Sequence, residues 1–361
     1  MSSTRNQNAR LLAVAVGLPA SLLFAGACRT PNNRADVAYF PPPPAAPHVV
    51  HLKSFNSLDD LVPPRVTFLE VIRGGSISPF VDTPAGVAYK NDRLYICDTG
   101  LNGLHVWDLS TGQADRVGTS GEVILRKPVD VAVDDAGNIF VADSERGEVV
   151  GFDPNGKPFS SCKPPDGQPF KPVAVTIGAG LVGVADIATH RIALCGSNGG
   201  DAEPSFHGAV GSAPGQFYFP TGVSTDRKGN WVVSEMMNAR VQVLDQSFGS
   251  LRTMGQPGNR FGDLGKPKHV DVGPDGTIFV ADGEFGHVHL FNSEGQLLML
   301  LGGPGNGPGA TPMPFGVAVA ESLPENLESL VPADFDAQYY LFVTNTIGGK
   351  RINLFAIGKQ R

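Results

Sequence analysis

Residues 128–143 read Pro-Val-Asp-Val-Ala-Val-Asp-Asp-Ala-Gly-Asn-Ile-Phe-Val-Ala-Asp, and residues 267–282 read Pro-Lys-His-Val-Asp-Val-Gly-Pro-Asp-Gly-Thr-Ile-Phe-Val-Ala-Asp. In both stretches a proline opens an apolar strand, a glycine-containing turn follows, and a second apolar strand ends on aspartate. Glycine suits such turns because it adopts a positive φ at no steric cost. Each stretch therefore predicts a β-hairpin, and their similarity predicts a repeat.

The proline-led segment occurs six times, with 44 to 48 residues from one proline to the next. In the first five copies an acidic residue ends the second strand, and we call these residues the terminal acids. Because the acid recurs at the same position of each of these copies, we predict a structural role for it. Its carboxylate should cap the following turn by accepting hydrogen bonds from backbone N–H groups. The six anchor prolines are Pro84, Pro128, Pro172, Pro220, Pro267 and Pro314. The terminal acids are Asp98, Asp143, Asp186, Glu235 and Asp282.

Two further short strands follow in a complete copy, so that a unit of about 45 residues holds four strands, as in a propeller blade. The 45 glycines, 30 prolines and 17% charged residues of the chain suit strands joined by turns. One four-stranded sheet cannot bury both its faces, so the units must stack around an axis. The sequence predicts an all-β, six-bladed β-propeller with four-stranded blades. At the residue level the pattern resembles the NHL repeat family, over about residues 66–359.

The two ends of the repeat array predict how the ring closes. Residues Val66–Ile72 form a strand pattern without a blade of its own, and the sixth copy stops after its third strand, Ile352–Ala356. We therefore predict that the N-terminal strand completes the last blade and leaves no open edge. The sixth copy also carries an insertion, Glu321–Asp336, between its first and second strands.

The N-terminus has the features of a targeting segment. Arg5 and Arg10 precede seventeen uncharged residues, which end in Ala25-Gly26-Ala27-Cys28. This end resembles the lipobox of bacterial lipoproteins, although Ala25 stands where leucine is usual. The resemblance implies a lipid on Cys28 that anchors the protein to a membrane on the extracytoplasmic side of the bacterial cell envelope. The alternative is an ordinary signal peptide cut near Ala27, which would give a secreted or periplasmic protein.

These features divide the chain into three predicted parts: a signal peptide at 1–27, a lipidated cysteine and proline-rich tether at 28–60, and the propeller at 61–361. A four-proline run within the tether favours extended polyproline geometry. Three cysteines remain in the propeller. Cys97 lies in an apolar strand pattern and is expected to be buried, whereas Cys162 and Cys195 are a possible disulfide pair in an exported protein.

The sequence offers no set of catalytic or metal-binding residues. The net charge of −7 comes without a basic stripe, which argues against nucleic acid as a partner. Peptidyl-hydroxyglycine lyases, which are related propellers, hold zinc with histidines directly after such prolines, but here His269 lies two residues after Pro267 and in a single blade. Asp130 alone does not supply the acidic ring of a lactonase. We therefore predict no cofactor and no metal.

In propellers, the linkers into the first strands and the loops from second to third strands share one face, which we call the loop face. We predict that this face binds an envelope protein, peptide or glycan, which would make the protein a binding or scaffolding module. The alternative is a propeller enzyme of the lyase or lactonase kind with an unrecognised metal site. An exposed apolar patch would favour binding, and converging histidines and carboxylates would favour the enzyme. The predicted binding residues are Arg146, His190, Met236, Met237, Lys268, His269 and Phe285.

Overall fold

Each copy of the repeat folds into one antiparallel sheet, and the six sheets form a ring. The structure is a computed structural model that describes residues 38–42, 44–62, 80–198 and 200–361. The first strand of every blade starts at its anchor proline, where the missing N–H is tolerated because the ladder begins there. The first strands pack against one another in order around the axis. The predicted six-bladed β-propeller with four-stranded blades is confirmed.

The strands are numbered along the chain, and two of them precede the first blade. These two are β1 (Tyr39–Phe40) and β2 (Val49–Phe55). Blade 1 contains β3 (Pro84–Lys90), β4 (Arg93–Asp98), β5 (Gly103–Asp108) and β6 (Gln113–Val117). Blade 2 contains β7 (Pro128–Val133), β8 (Ile139–Asp143), β9 (Glu148–Phe152) and β10 (Pro158–Cys162). Blade 3 contains β11 (Pro172–Gly178), β12 (Leu181–Asp186), β13 (Arg191–Gly196) and β15 (Ser205–His207), with β14 (Gly200–Ala202) added to blade 2.

The remaining three blades follow the same order from the axis outwards. Blade 4 contains β16 (Pro220–Thr225), β17 (Trp231–Glu235), β18 (Arg240–Leu244) and β19 (Ser250–Met254). Blade 5 contains β20 (Pro267–Val272), β21 (Ile278–Asp282), β22 (His287–Phe291) and β23 (Leu297–Gly302). Blade 6 contains β24 (Pro314–Ala320), β25 (Phe335–Asn345) and β26 (Ile352–Gln360), followed by β2 and β1.

The sixth blade is completed by an N-terminal strand, as predicted, but that strand is β2. It pairs antiparallel with β26, from Val49 opposite Ile357 to Phe55 opposite Ile352. The predicted strand at residues 66–72 lies outside the described residues. The predicted tether at 28–60 overlaps β1, β2 and the start of the short helix α1 (Leu58–Leu61), which belong to the folded part. The prolines that precede β2 led to its assignment to the tether from the sequence, because a proline run favours extended polyproline geometry.

Two connections tie neighbouring parts of the ring together. Cys162 in β10 and Cys195 in β13 form a disulfide between blades 2 and 3, which confirms the possible pair, and Cys97 is free and buried. The insertion of blade 6 contains the short helix α2 (Glu325–Glu328), and its Leu323 and Leu327 are buried in the same apolar cluster as Trp107 of blade 1. No helix in the described ranges is long and apolar enough to cross a membrane.

The role of β2 can be tested with two truncated chains, one starting at residue 38 and one at residue 57. Val49, Val50 and Phe55 are fully buried, and each such side chain contributes about 1.5–3 kcal/mol. We expect the first chain to unfold at the temperature of the full chain. The second should unfold about 10 °C lower and aggregate, because β26 becomes an open edge. Circular dichroism and light scattering measure both effects, and equal unfolding temperatures would show that blade 6 does not need β2.

Candidate binding face at the channel mouth

The terminal acids hold the loop face in place. The Asp98 carboxylate is fully buried and accepts bonds from the backbone N–H groups of Asp82 and Thr83, at 2.7 and 3.0 Å. These residues belong to the linker into β3. The same carboxylate accepts bonds from the N–H groups of Gly100 and Leu101 in the loop from β4 to β5. The predicted capping of the turn is thus confirmed, and each acid also fastens the incoming linker.

The other four terminal acids repeat this arrangement with small variations. Asp143, Asp186 and Asp282 each accept N–H bonds from both the linker and the loop, and Glu235 accepts one from Tyr218 in the linker. Burial alone would raise the pKa of Asp98, but His105 and the backbone N–H groups outweigh it and lower that pKa to about 2. The Asp98 carboxylate is therefore ionised, and all five carboxylates already have hydrogen-bond partners within the fold.

Large exposed hydrophobic side chains are concentrated on the loop face. Of the ten such side chains among the described residues, eight lie in linkers or in loops from second to third strands. The other two, Leu251 and Leu298, lie on the outer strands β19 and β23. The eight are Phe80, Ile124, Val210, Tyr218, Met237, Phe261, Met313 and Ile347. A propeller surface that exposes apolar side chains on one face is a candidate recognition surface.

Met236, Met237 and Lys268 come together near the centre of this face. Met237 is 53% exposed, and its backbone N–H donates to the carbonyl of Tyr218, at 3.3 Å. Met236 is half-buried, and its sulfur lies 3.6 Å from the Nζ of Lys268. The loop of blade 4 and the first strand of blade 5 thus form one continuous patch. Met236, Met237 and Lys268 lie together on the loop face.

The structure gives Arg146 and His190 intramolecular partners. The Arg146 guanidinium bonds to Glu148, at 2.6 Å, within blade 2. His190 has a positive φ and its Nδ1 accepts the backbone N–H of Phe219, at 3.0 Å, while its ring packs against Tyr218. His190 therefore holds the linker residues Tyr218 and Phe219 through this bond and this ring contact. Phe285 is half-buried and lines a shallow pocket with linker residues 257–259 and 264–266.

His269 lies at the axis of the ring and is buried. Its Nε2 donates to Oδ2 of Asp130, at 3.1 Å, although the two residues belong to blades 5 and 2 on opposite sides of the channel. Oδ2 of Asp130 also accepts the backbone N–H of Val175 in blade 3, at 2.9 Å. The Asp130 carboxylate raises the pKa of His269 above its ordinary value, against the effect of burial. The pair blocks the channel at this level.

Small residues at the equivalent positions allow the first strands to approach the pair. A Cβ on Gly86 would lie 2.5 Å from the Cα of Asp130, and a Cβ on Gly222 would lie 2.9 Å from the Cα of His269. Real Cβ atoms essentially never come so close, so only glycine fits at either position.

The described residues bring no three histidine, cysteine, aspartate or glutamate side chains together in an arrangement that could hold a metal. Two further histidines, His105 and His289, lie within blades and face the terminal acids Asp98 and Asp282, at 3.3 and 3.8 Å. Burial lowers the pKa of His289 to about 4. These histidines are enclosed in their blades and do not reach the channel mouth.

Comparison with known proteins agrees with this architecture. The NHL repeat model matches residues 125–152, which contain the stretch that opens blade 2. No curated protein sequence matches the chain. The fold is similar to a streptogramin B lyase structure, with 14% identity and a TM-score of 0.53 over 77% of this chain and 94% of that one. The chain is thus a six-bladed β-propeller that carries the NHL repeat.

Two other solved structures have the same fold and different functions. One is the luciferin-regenerating enzyme, with 12% identity and a TM-score of 0.55 over 78% of this chain and 93% of that one. Another is a calcium-binding protein, regucalcin, from Agrobacterium tumefaciens, with 11% identity and a TM-score of 0.54 over 78% and 92%. At such identities the similarity shows the fold alone.

The Asp130–His269 pair can be tested by a double-mutant cycle. Removing either partner leaves the other buried and uncompensated, so Asp130→Ala and His269→Ala should each cost about 3–5 kcal/mol of unfolding free energy. The double variant should lose clearly less than the sum. Because the folded pKa of His269 is raised, its contribution is complete below pH 6.5 and is lost as the pH rises through that folded pKa.

Chemical denaturation at pH 6 and pH 9 measures this dependence. The difference in stability between the natural protein and His269→Gln should be larger at pH 6 than at pH 9. Additive single effects, or a difference that grows with pH, would contradict an ion pair at the axis.

Proposed function

We propose that the protein is a binding or scaffolding module whose loop face recognises a partner protein or peptide. The observation that supports this most is the one-sided distribution of exposed hydrophobic side chains, eight of ten on the loop face. Aromatic and methionine side chains are enriched in recognition surfaces, because they bury much area and methionine adapts its shape. The rigid blades hold these side chains on a fixed frame, which lowers the entropic cost of binding.

The centre of the surface is formed by Met237 and Tyr218, with the ring of His190 packed against Tyr218. Phe285 and the half-buried Met236 extend it towards blade 5, and Met313 and Ile347 extend it on blade 6. The terminal acids fix the loop backbones of blades 1, 2, 3 and 5. In blade 4 the N–H groups of Met236 and Met237 bond to the linker carbonyls of Phe219 and Tyr218. The surface is therefore largely preformed.

An enzymatic function is supported only by the resemblance of the fold to a lyase and to a luciferin-regenerating enzyme. The sole histidine at the channel axis among the described residues is His269, which is 7% exposed and committed to Asp130. A general base needs access to a substrate proton. His269 would have to leave its carboxylate first, and binding is therefore the better supported function.

The loop face has a matched control on the outer surface. Met237, Leu251 and Leu298 are exposed by 53%, 52% and 54%, but only Met237 is on the loop face. We expect Met237→Ser and Tyr218→Ser each to weaken binding of the partner by about 1–2 kcal/mol, as hot-spot residues do. Leu251→Ser and Leu298→Ser should leave binding unchanged.

The measurement is affinity capture from solubilised bacterial envelopes, with quantitative mass spectrometry of the retained proteins across the four variants. Thermal unfolding of each variant controls for folding. If the outer-strand variants lose the retained proteins and the loop-face variants keep them, the working surface has been placed on the wrong side.

We further propose that a lipid on Cys28 anchors the protein to the extracytoplasmic side of a bacterial membrane. The support is the uncharged segment that ends in Ala25-Gly26-Ala27-Cys28, which lies outside the described residues. Cys28→Ser should abolish incorporation of a labelled fatty acid and move the protein into the soluble fraction after cell lysis. Unchanged labelling and membrane association would refute the anchor, and a processed but unlabelled natural protein would indicate an ordinary signal peptide.

A further inference from the structure

Lys268 is unusual among the residues around the channel mouth. It directly follows the anchor proline of blade 5, at the loop-face end of the innermost strand β20. The residues at this position in the other blades carry no charge: Ala85, Val129, Val173, Thr221 and Phe315. Lys268 is also half-buried, whereas lysines ordinarily keep their ammonium group in water.

The ammonium group of Lys268 lacks an acidic partner among the described residues. The nearby Glu284 bonds to Lys266, at 2.6 Å, and Asp282 accepts three backbone N–H bonds. The polar contact that Lys268 makes is to the sulfur of Met236, at 3.6 Å. Thioether sulfur is a weak acceptor, and an ammonium group has three donors. Lys268 therefore presents unused hydrogen-bonding capacity and a charge that is not paired directly with an acidic side chain of the described residues.

Burial lowers the pKa of Lys268, and the neighbouring Lys266 acts in the same direction. Burial removes hydration from the ammonium group and Lys266 repels its charge, while the nearby carboxylates of Asp282 and Glu284 offset these two effects only in part. An anion bound at this position would stabilise the charged form of the Lys268 ammonium group. Its attraction to this half-buried group would be stronger than at the open surface, because less water screens the two charges.

Apolar side chains flank Lys268 on two sides. Towards blade 4 it contacts Met236, which is followed in the chain by the exposed Met237. Towards blade 6 its stem passes over Gly283, where an added Cβ would lie 3.2 Å from the Cε of Lys268 and 3.6 Å from the carbonyl oxygen of Pro314. The residue before Pro314 is the exposed Met313. One cation thus lies between two apolar patches.

We propose that Lys268 binds a carboxylate of a peptide partner whose apolar side chains cover Met237 and Tyr218. This inference rests on the proposed function and specifies the chemistry of the partner. A carboxylate fits better than a phosphate because one ammonium group at this site offers one charge, whereas phosphate sites gather several cations or a forked guanidinium. The carboxylate can belong to an acidic side chain or to the C-terminus of the peptide.

The test uses immobilised pools of random heptapeptides, amidated at the C-terminus, with glutamate, glutamine or lysine fixed at the central position. A fourth pool has central glutamine and a free C-terminal carboxylate, which separates the two sources of the anion. Retention of the purified full-length protein is measured for the natural sequence, Lys268→Gln, Lys268→Arg and Lys266→Gln. Lys266 is the matched control, because it is a neighbouring lysine that already has an acidic partner.

We expect the natural protein to bind the glutamate pool, or the free-carboxylate pool, about tenfold better than the amidated glutamine pool. Lys268→Gln should remove this preference, Lys268→Arg should keep part of it, and Lys266→Gln should keep all of it. Lys268→Gln should fold normally, since it relieves a buried charge, and thermal unfolding checks this.

The inference is overturned if no carboxylate pool is preferred, or if the preference survives in Lys268→Gln. In either case the proposed function still stands if the pools retain the natural protein and Met237→Ser lowers its retention by every pool. If the natural protein binds no pool, both the inference and a peptide-binding function are rejected.

Discussion

A buried carboxylate at the end of the second strand is the constraint on which the loop face depends. In blade 1, the Asp98 carboxylate accepts hydrogen bonds both from the linker that enters β3 and from the loop that leaves β4. One side chain therefore sets the position of two segments that are distant in the sequence. In blade 6 the position is taken by Asn345, whose side chain has no partner in the described structure, and the linker there contains Pro312, which has no N–H to donate. The loops of blade 6 are held by other contacts.

The repeat made the propeller predictable, since six prolines at nearly constant spacing fix the number of blades and the order of strands. It also made closure predictable, because a blade with three strands must borrow a fourth. The identity of that strand was not predictable. The strand β2 follows a proline-rich leader and lacks the anchor motif, while residues 66–72 have the stronger strand pattern. Pairing with β26 and burial of Val50 and Phe55 depend on tertiary contacts that local sequence does not encode.

The candidate site was predictable in part. Loop position and side-chain type indicated Met237 and Lys268, but the sequence could not show that Arg146 and His190 have partners within the chain. Tyr218, Met313 and Ile347 were missed, although a large apolar residue close to an anchor proline carried the signal for the first two. Blade counting places His269 opposite Asp130, because blades 2 and 5 of a six-membered ring face each other. Only the three-dimensional arrangement shows that the two side chains meet.

The blocked axis has a consequence for how the molecule can evolve. Since Asp130 and His269 meet across the channel, the two ends of the propeller do not share a passage. A molecule that enters at one mouth must leave by the same mouth, so its residence is governed by a single opening. The hairpins at the other end, including the insertion with α2, do not line the opening on the loop face. They can acquire new lengths and new charges without changing the residues of the loop face.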